Sequence, residues 1–358
     1  MDSDRIEHAI HSILMDCVRG ARAPGLQYVA VTASDVLHNV ALGSATLHDR
    51  LMTPETTLMA YSMSKTVTAL AVLSLIERHG VSVDESLGKY VPEHPYGDAV
   101  TVRHLLSHTG GLPNPIPIRW VHPADADASF DEPAALRIVL SRHGKLHSAP
   151  GTRFRYSNIG YWLLGVLVER LSGVAFTRYV EDHIAAPLRL GRGDFSYRIP
   201  DRELHASGYL ERFGLMNFLR PLLVDRRLNG RATGAWHEIL PHYVNGPAFG
   251  GLIARGAGIG TFLQGQLRPA SALPGAAGRR LLFEQQSASG TAIPMTPGWH
   301  IGYCDARRFY FKEGGGAGFH CMMRLDPVNG FGSVLMTNAT SFNVRAALDS
   351  LDRIVLAG

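Results

Sequence analysis

Charge is scarce in this chain. Acidic and basic residues together make up 18% of it, while apolar residues reach 46%. The first figure lies below the roughly 25% of ordinary soluble domains. So little charge beside so much apolar material excludes a disordered chain and predicts a large buried interior. Cysteine is scarcer still. Cys17, Cys304 and Cys321 are odd in number and carry no C-x-x-C spacing, so they predict buried thiols in a reducing compartment rather than a zinc or redox site. No apolar run reaches the roughly 18 residues that a membrane span requires. The N-terminus, MDSDRIEHAI, has acidic residues where a secretory signal has basic ones, and no apolar stretch follows it. A cytoplasmic location is the expectation. Nor does one sign of charge dominate: 35 Lys and Arg against 31 Asp and Glu leave +4, too little and too scattered for a nucleic-acid surface. The densest basic group, Arg226, Arg227 and Arg231, reads as a solvated face. G-x-S-x-G is missing altogether, which argues against the nucleophile elbow of an α/β-hydrolase.

What is present is organised from the two ends inward. Residues 4 to 19 set Ile6, Ile10, Ile13, Leu14 and Cys17 at helical spacing. The strand-like runs GLQYVAVTA and HNVALGSA follow. Near the other end RFYFK, GFHCMMRLD and FGSVLMTN read as three successive strands, with Asn329-Gly330 as a hairpin turn signal between the last two. A last helix carries Val344, Leu348, Leu351 and Val355 on one face. This predicts an antiparallel sheet assembled from both termini, residues 1–75 with 250–358, and a mostly helical lobe, 76–249, with a cap-like segment near 209–245. In that lobe TVTALAVLSLIERHG and IGYWLLGVLVERLSG are apolar nearly all round, the mark of helices buried on every side. HTGGLPNPIPIRW between them is too rich in Pro and Gly for regular structure, and it reads as the rim of a cleft. FGLMNFLRPLLV, residues 213–224, reads first as a helix packed on the lobe and second as a cap shaping a pocket.

Three short patterns carry chemistry. Ser62-Met63-Ser64-Lys65 sets a hydroxyl and an amine three residues apart, so at a helix start the two share one face. A second copy, Ser86 to Lys89, has Gly at its centre and no apolar helix behind it, so it reads as a loop. Tyr156-Ser157-Asn158 precedes a buried helix, whereas Tyr243-Val244-Asn245, of the same form, does not. Lys312-Glu313-Gly314 is the one K-x-G in the chain and leads into GGGAGF, where missing side chains let a substrate lie against backbone.

In this order the three patterns resemble the signature elements of serine β-lactamases and penicillin-binding proteins, most closely the class C β-lactamase and family VIII carboxylesterase branch. VTVRHLLSHTGGL, APGTRFRYSNIGY, NGPAFGGL and DPVNGFGSVLMTNA look like the same family. The resemblance implies a β-lactamase/transpeptidase-like α/β (α+β) fold, an antiparallel sheet flanked by helices plus a helical second domain, with the site between them and no metal or cofactor. It implies Ser62 as nucleophile and a base role shared by Lys65 and Tyr156. Asn158 and Lys312 would orient substrate and tune the base, and Gly314 and Gly315 would form the substrate-binding strand. The amides of Ser62 and Gly315 would be the oxyanion hole. The implied partner is a small-molecule ester or acyl compound. One departure stands out: the family's K-T-G hydroxyl is replaced by Glu313, which strand alternation turns to the face opposite Lys312. Esterase is therefore the leading expectation. β-Lactamase, D-amino-acid peptidase or transacylase, and a non-catalytic binding module follow it. His237 to His242, HEILPH, looks like a zinc-protease helix, but its second His is one residue late and Pro241 breaks the helix, so it reads as a surface turn.

Overall fold

A computed structural model describes residues 3–20, 22–117, 120–268 and 273–357. Ile118 and Arg119 of the Pro-rich rim lie outside the described residues. Seven antiparallel strands form the main sheet, in the order His300–Cys304, Arg307–Gly316, Phe319–Asp326, Phe331–Thr337, Gly25–Thr32, Val36–Thr46 and Arg50–Leu51. The N-terminal strand thus pairs with the last strand of the chain, from Leu26 opposite Thr337 to Thr32 opposite Phe331. Strand alternation serves both faces. Tyr28 and Ala30 pack with Ile10, Leu14, Leu348 and Leu351 of the two terminal helices, while Val29 and Val31 pack with Phe262 and Leu263 of the helix Gly256–Leu267. A strand covered on both sides is buried along most of its length, which is why GLQYVAVT reads as nearly continuous apolar sequence. Gly330 takes a positive φ of 64° at the expected hairpin.

The two apolar helices are buried as expected. Every residue from Ser64 to Ile76 of the helix Ser64–His79 is buried, and Gly80 ends it in the left-handed conformation that costs glycine nothing. Gly173 closes the helix Asn158–Ser172 in the same way. A small sheet of Leu58–Tyr61, Leu252–Ala254 and Phe195–Ser196 delivers the chain to Ser62. A separate three-stranded sheet, Gly208–Glu211, Trp236–Ile239 and Asn229–Thr233, accompanies the helix Leu215–Leu223. Two expectations need correction. Cys304 is partly exposed, unlike the buried Cys17 and Cys321, because its strand lies at the edge of the main sheet. HEILPH is not a surface turn: Trp236–Ile239 is a strand paired on both sides, and His242 begins another strand and is buried. Among the described residues no single helix is long and apolar enough to cross a membrane.

Candidate active site

Ser62 sits between the strand Leu58–Tyr61 and the helix that starts at Ser64. The turn is fixed by Ser64, which donates its hydroxyl to the Tyr61 carbonyl at 2.6 Å and accepts the Leu252 amide at 2.9 Å. Lys65, one helical turn on from Ser62, is wholly buried. Its Nζ lies 3.1 Å from Ser62 Oγ, 2.8 Å from Asn158 Oδ1 and 2.6 Å from the Phe249 carbonyl oxygen. Tyr156 donates its hydroxyl to the same Ser62 Oγ at 2.9 Å. The Ser157 hydroxyl caps the following helix by accepting the Gly160 amide, which holds Tyr156 and Asn158 on either side of the cap. Lys312 completes the group, its Nζ 5.2 Å from the centre of the Tyr156 ring and without a hydrogen-bond partner among the described residues.

Burial sets the protonation of this cluster. It pushes Lys65 well below the ordinary lysine range, and the nearby Lys312 pushes further in the same direction. Burial brings Lys312 down to about 7. The Tyr156 phenol moves the other way: burial raises it, and the hydrogen bond to Ser62 offsets only part of that rise. A buried amine is driven neutral and a buried phenol is kept protonated because each avoids charge in a poorly solvated place.

The structure thus gathers Ser62, Lys65, Tyr156, Asn158 and Lys312, and sets Gly314 and Gly315 beside them. A Cβ on Gly314 would stand 2.2 Å from the Ala60 carbonyl oxygen and 3.0 Å from the Ser62 amide nitrogen, so only glycine lets this strand lie so close to the backbone of Ser62. Glu313 points away from Lys312, accepts from His320 Nε2 at 2.8 Å and approaches Arg345 at 3.8 Å. The second S-x-x-K copy is elsewhere: Ser86 caps a short turn and Lys89 pairs with Glu85 at the surface.

Four further residues belong to this neighbourhood, and none of them was assigned a role at the site from sequence. The His108 ring lies 4.4 Å from that of Tyr156, and its Nδ1 accepts the Ser157 amide at 3.2 Å. His300 also stacks on Tyr156, with ring centres 6.3 Å apart. Both imidazoles are kept neutral, chiefly by burial and then by the two lysines, with His300 pushed down to about 2. Tyr61, just before Ser62, holds a positive φ of 43°, a conformation costly for a bulky residue. Its hydroxyl donates to His242 Nε2 at 2.7 Å, and His242 Nδ1 donates to the Leu240 carbonyl at 2.9 Å. The signals were there in part: His108 belongs to the LLSHTGGL block and His242 to HEILPH, but their partners are distant in sequence.

A cavity of about 310 Å³ opens onto Ser62. Trp120, Phe249, Val121, Val244, Leu210 and Met216 supply most of its apolar wall, and Gly315 and Gly316 form part of its edge. No charged side chain is among the described residues that line it. Met216 and Val224 bring the helix Leu215–Leu223 and its end into that wall, so this segment does more than pack on the lobe.

A protein-family model described as beta-lactamase matches residues 12–357. This chain belongs to the β-lactamase family. Among curated relatives of this β-lactamase-family chain are protein flp of Staphylococcus aureus, 25% identical over 211 residues, and penicillin-binding protein 4* of Bacillus subtilis, 27% identical over 163 residues. The matches cover 57% and 44% of the chain but 41% and 35% of those relatives, so it spans well under half the length of either. Among solved structures, the D-amino acid amidase from Ochrobactrum anthropi SV3 superposes with a TM-score of 0.82 at 20% identity, covering 98% of this chain and 99% of that one. The octameric penicillin-binding protein homologue from Pyrococcus abyssi gives 0.76 at 22%, covering 100% and 77%. At such identities these structures agree on the β-lactamase/transpeptidase-like fold, an antiparallel sheet flanked by helices.

Proposed function

We propose that this chain is a serine hydrolase working through an acyl-enzyme on Ser62, and that its substrates are carboxylic esters of short to medium acyl chain. The observation that carries the proposal is the apolar cavity ending on Ser62, with no charged side chain among its described lining residues. A neutral acyl chain fits such a wall. A substrate carboxylate or ammonium would be desolvated there without a partner. The reading includes the class C and family VIII carboxylesterase branch, the division into residues 1–75 with 250–358 against 76–249, and a cytoplasmic location.

The chemistry follows from the hydrogen bonds. Asn158 Oδ1 and the Phe249 carbonyl oxygen can only accept, so they take two N–H groups of Lys65. With the amine neutral, its lone pair is left facing Ser62, which donates its hydroxyl proton to Nζ as Oγ attacks the ester carbonyl. Tyr156, still protonated, is then a proton carrier rather than the primary base. The amides of Ser62 and Gly315 hold the oxyanion. The C–O bond to the alcohol breaks as the ammonium of Lys65 returns its proton, through Tyr156, to the leaving oxygen. Water, deprotonated by the same amine, attacks the acyl carbonyl; the bond to Ser62 Oγ then breaks as Lys65 returns that proton to Oγ, and the carboxylic acid leaves. Lys312 keeps Lys65 neutral and orients substrate.

A β-lactamase reading gains from one observation. Glu313 is engaged by His320 and faces away from Lys312, so it does not repel an incoming carboxylate, although it supplies no hydroxyl donor either. The test compares kcat/KM for p-nitrophenyl butyrate with that for nitrocefin, in the wild type and in Glu313→Thr. The ester should win by roughly tenfold or more in the wild type, since a missing hydrogen bond to a charged group is worth about 1.5–3 kcal/mol. Nitrocefin turnover matching that of the ester would replace the esterase reading with the β-lactamase one.

A further inference from the structure

The helix Leu215–Leu223 faces the wrong way for a helix of a self-contained globule. Leu215, Phe218 and Leu222 stand at positions i, i+3 and i+7, the spacing of an apolar stripe that ordinarily turns to the core. Here Leu215 is 72% exposed, Phe218 81% and Leu222 66%, and Phe213 just before the helix is 91% exposed. The opposite face carries Met216 into the cavity at Ser62. Ile116, also at that cavity, is exposed as well. The apolar surface therefore runs to the mouth of the site. Solvation of single apolar side chains is ordinary; a contiguous row of this kind marks a docking face.

Charge says what docks there. Between positions 212 and 231 the chain carries Arg212, Arg220, Arg226, Arg227 and Arg231 against a single acidic residue, Asp225. This short stretch alone has a net charge of +4, equal to that of the whole chain. Arg212 lies over the Phe213 ring at 5.6 Å, which puts a cation directly at the apolar face. Arg226, Arg227 and Arg231 are exposed. A second copy of this chain would bring the same arginine fringe against itself, since a two-fold interface repeats one patch on both partners. An apolar helix face with Arg212 at its edge and exposed arginines close by in sequence matches instead the requirements of an anionic lipid surface, with phenylalanine and leucine in the acyl boundary and guanidinium groups among the headgroups.

We propose that the segment from Phe213 to Leu222 is an interfacial anchor that docks this protein on anionic membranes, with the mouth of the Ser62 cavity beside the bilayer. The anchor does not depend on which acyl compound Ser62 attacks. The test is flotation of the full chain with vesicles of phosphatidylcholine alone and of phosphatidylcholine mixed with phosphatidylglycerol, at low and high salt. The protein should float with the anionic vesicles at low salt, and much less at high salt because salt screens the arginines. In Phe213→Ser/Phe218→Ser, partitioning should fall by roughly tenfold or more, since two aromatic rings no longer insert. An unchanged thermal midpoint for that variant shows that the fold survives. Three results would each overturn the proposal: no flotation at all, equal flotation of the variant, or equal affinity for both vesicle types at low salt. So would a dimer in sedimentation velocity that the double substitution dissolves, because a second copy would then be the occupant.

Discussion

The low basicity of Lys65 has two causes, burial first and the neighbouring Lys312 second, and the second can be removed without touching the contacts of Lys65 itself. A cation at 312 disfavours the ammonium at 65 and so keeps the amine neutral to lower pH. Lys312→Met should therefore raise the basicity of Lys65 and move the acid limb of the kcat/KM profile to higher pH, whatever it does to the plateau. A pH profile on a neutral ester reads this directly; an unmoved limb would mean that Lys65 is not the group titrating. At this scale much was legible. Ser62, Lys65, Tyr156 and Lys312 announce themselves because short patterns fall in a fixed order at a helix start, a helix cap and a late strand. The residues that set their electrostatics do not. His300 belongs to no pattern, and its place against Tyr156 depends on the sheet edge folding over a loop more than a hundred residues earlier.

Elements act here by how closely their backbones approach. The strand Arg307–Gly316 loses its side chains at Gly314, where it crosses the turn that carries Ser62. Gly314→Ala places a methyl group 2.2 Å from the Ala60 carbonyl oxygen, so strand and turn must separate. The expected result is a drop of about 1–3 kcal/mol in unfolding free energy, the usual cost of overpacking, together with a loss of turnover larger than that of substrate binding. Denaturant titration and steady-state kinetics check the two parts. A variant with wild-type turnover would show that this approach does not matter. Sequence pattern found the glycine run, because glycine in a strand marks close approach, but not what approaches. It also misread HEILPH: a proline-broken run between polar residues resembles a turn, yet His242 is drawn inside by the Tyr61 hydroxyl and the Leu240 carbonyl.

At the scale of the molecule, pairing the first strand Gly25–Thr32 with the last, Phe331–Thr337, was legible because strands at both ends of a chain with helices between them have few ways to bury their edges. The orientation of the segment after Leu210 was not. Its apolar spacing predicts a packed helix, and no pattern within it says that one face would line a cavity and the other meet solvent. The whole arrangement buries two lysines and a tyrosine around one hydroxyl, and the proposed function requires that this makes Ser62 a nucleophile while the other serines are not. A fluorophosphonate probe followed by peptide mass mapping measures that difference directly, because the reagent labels only an activated serine. A single adduct on Ser62, absent in Ser62→Ala, is the expected result. An adduct on Ser86, or none on the wild type, would contradict it.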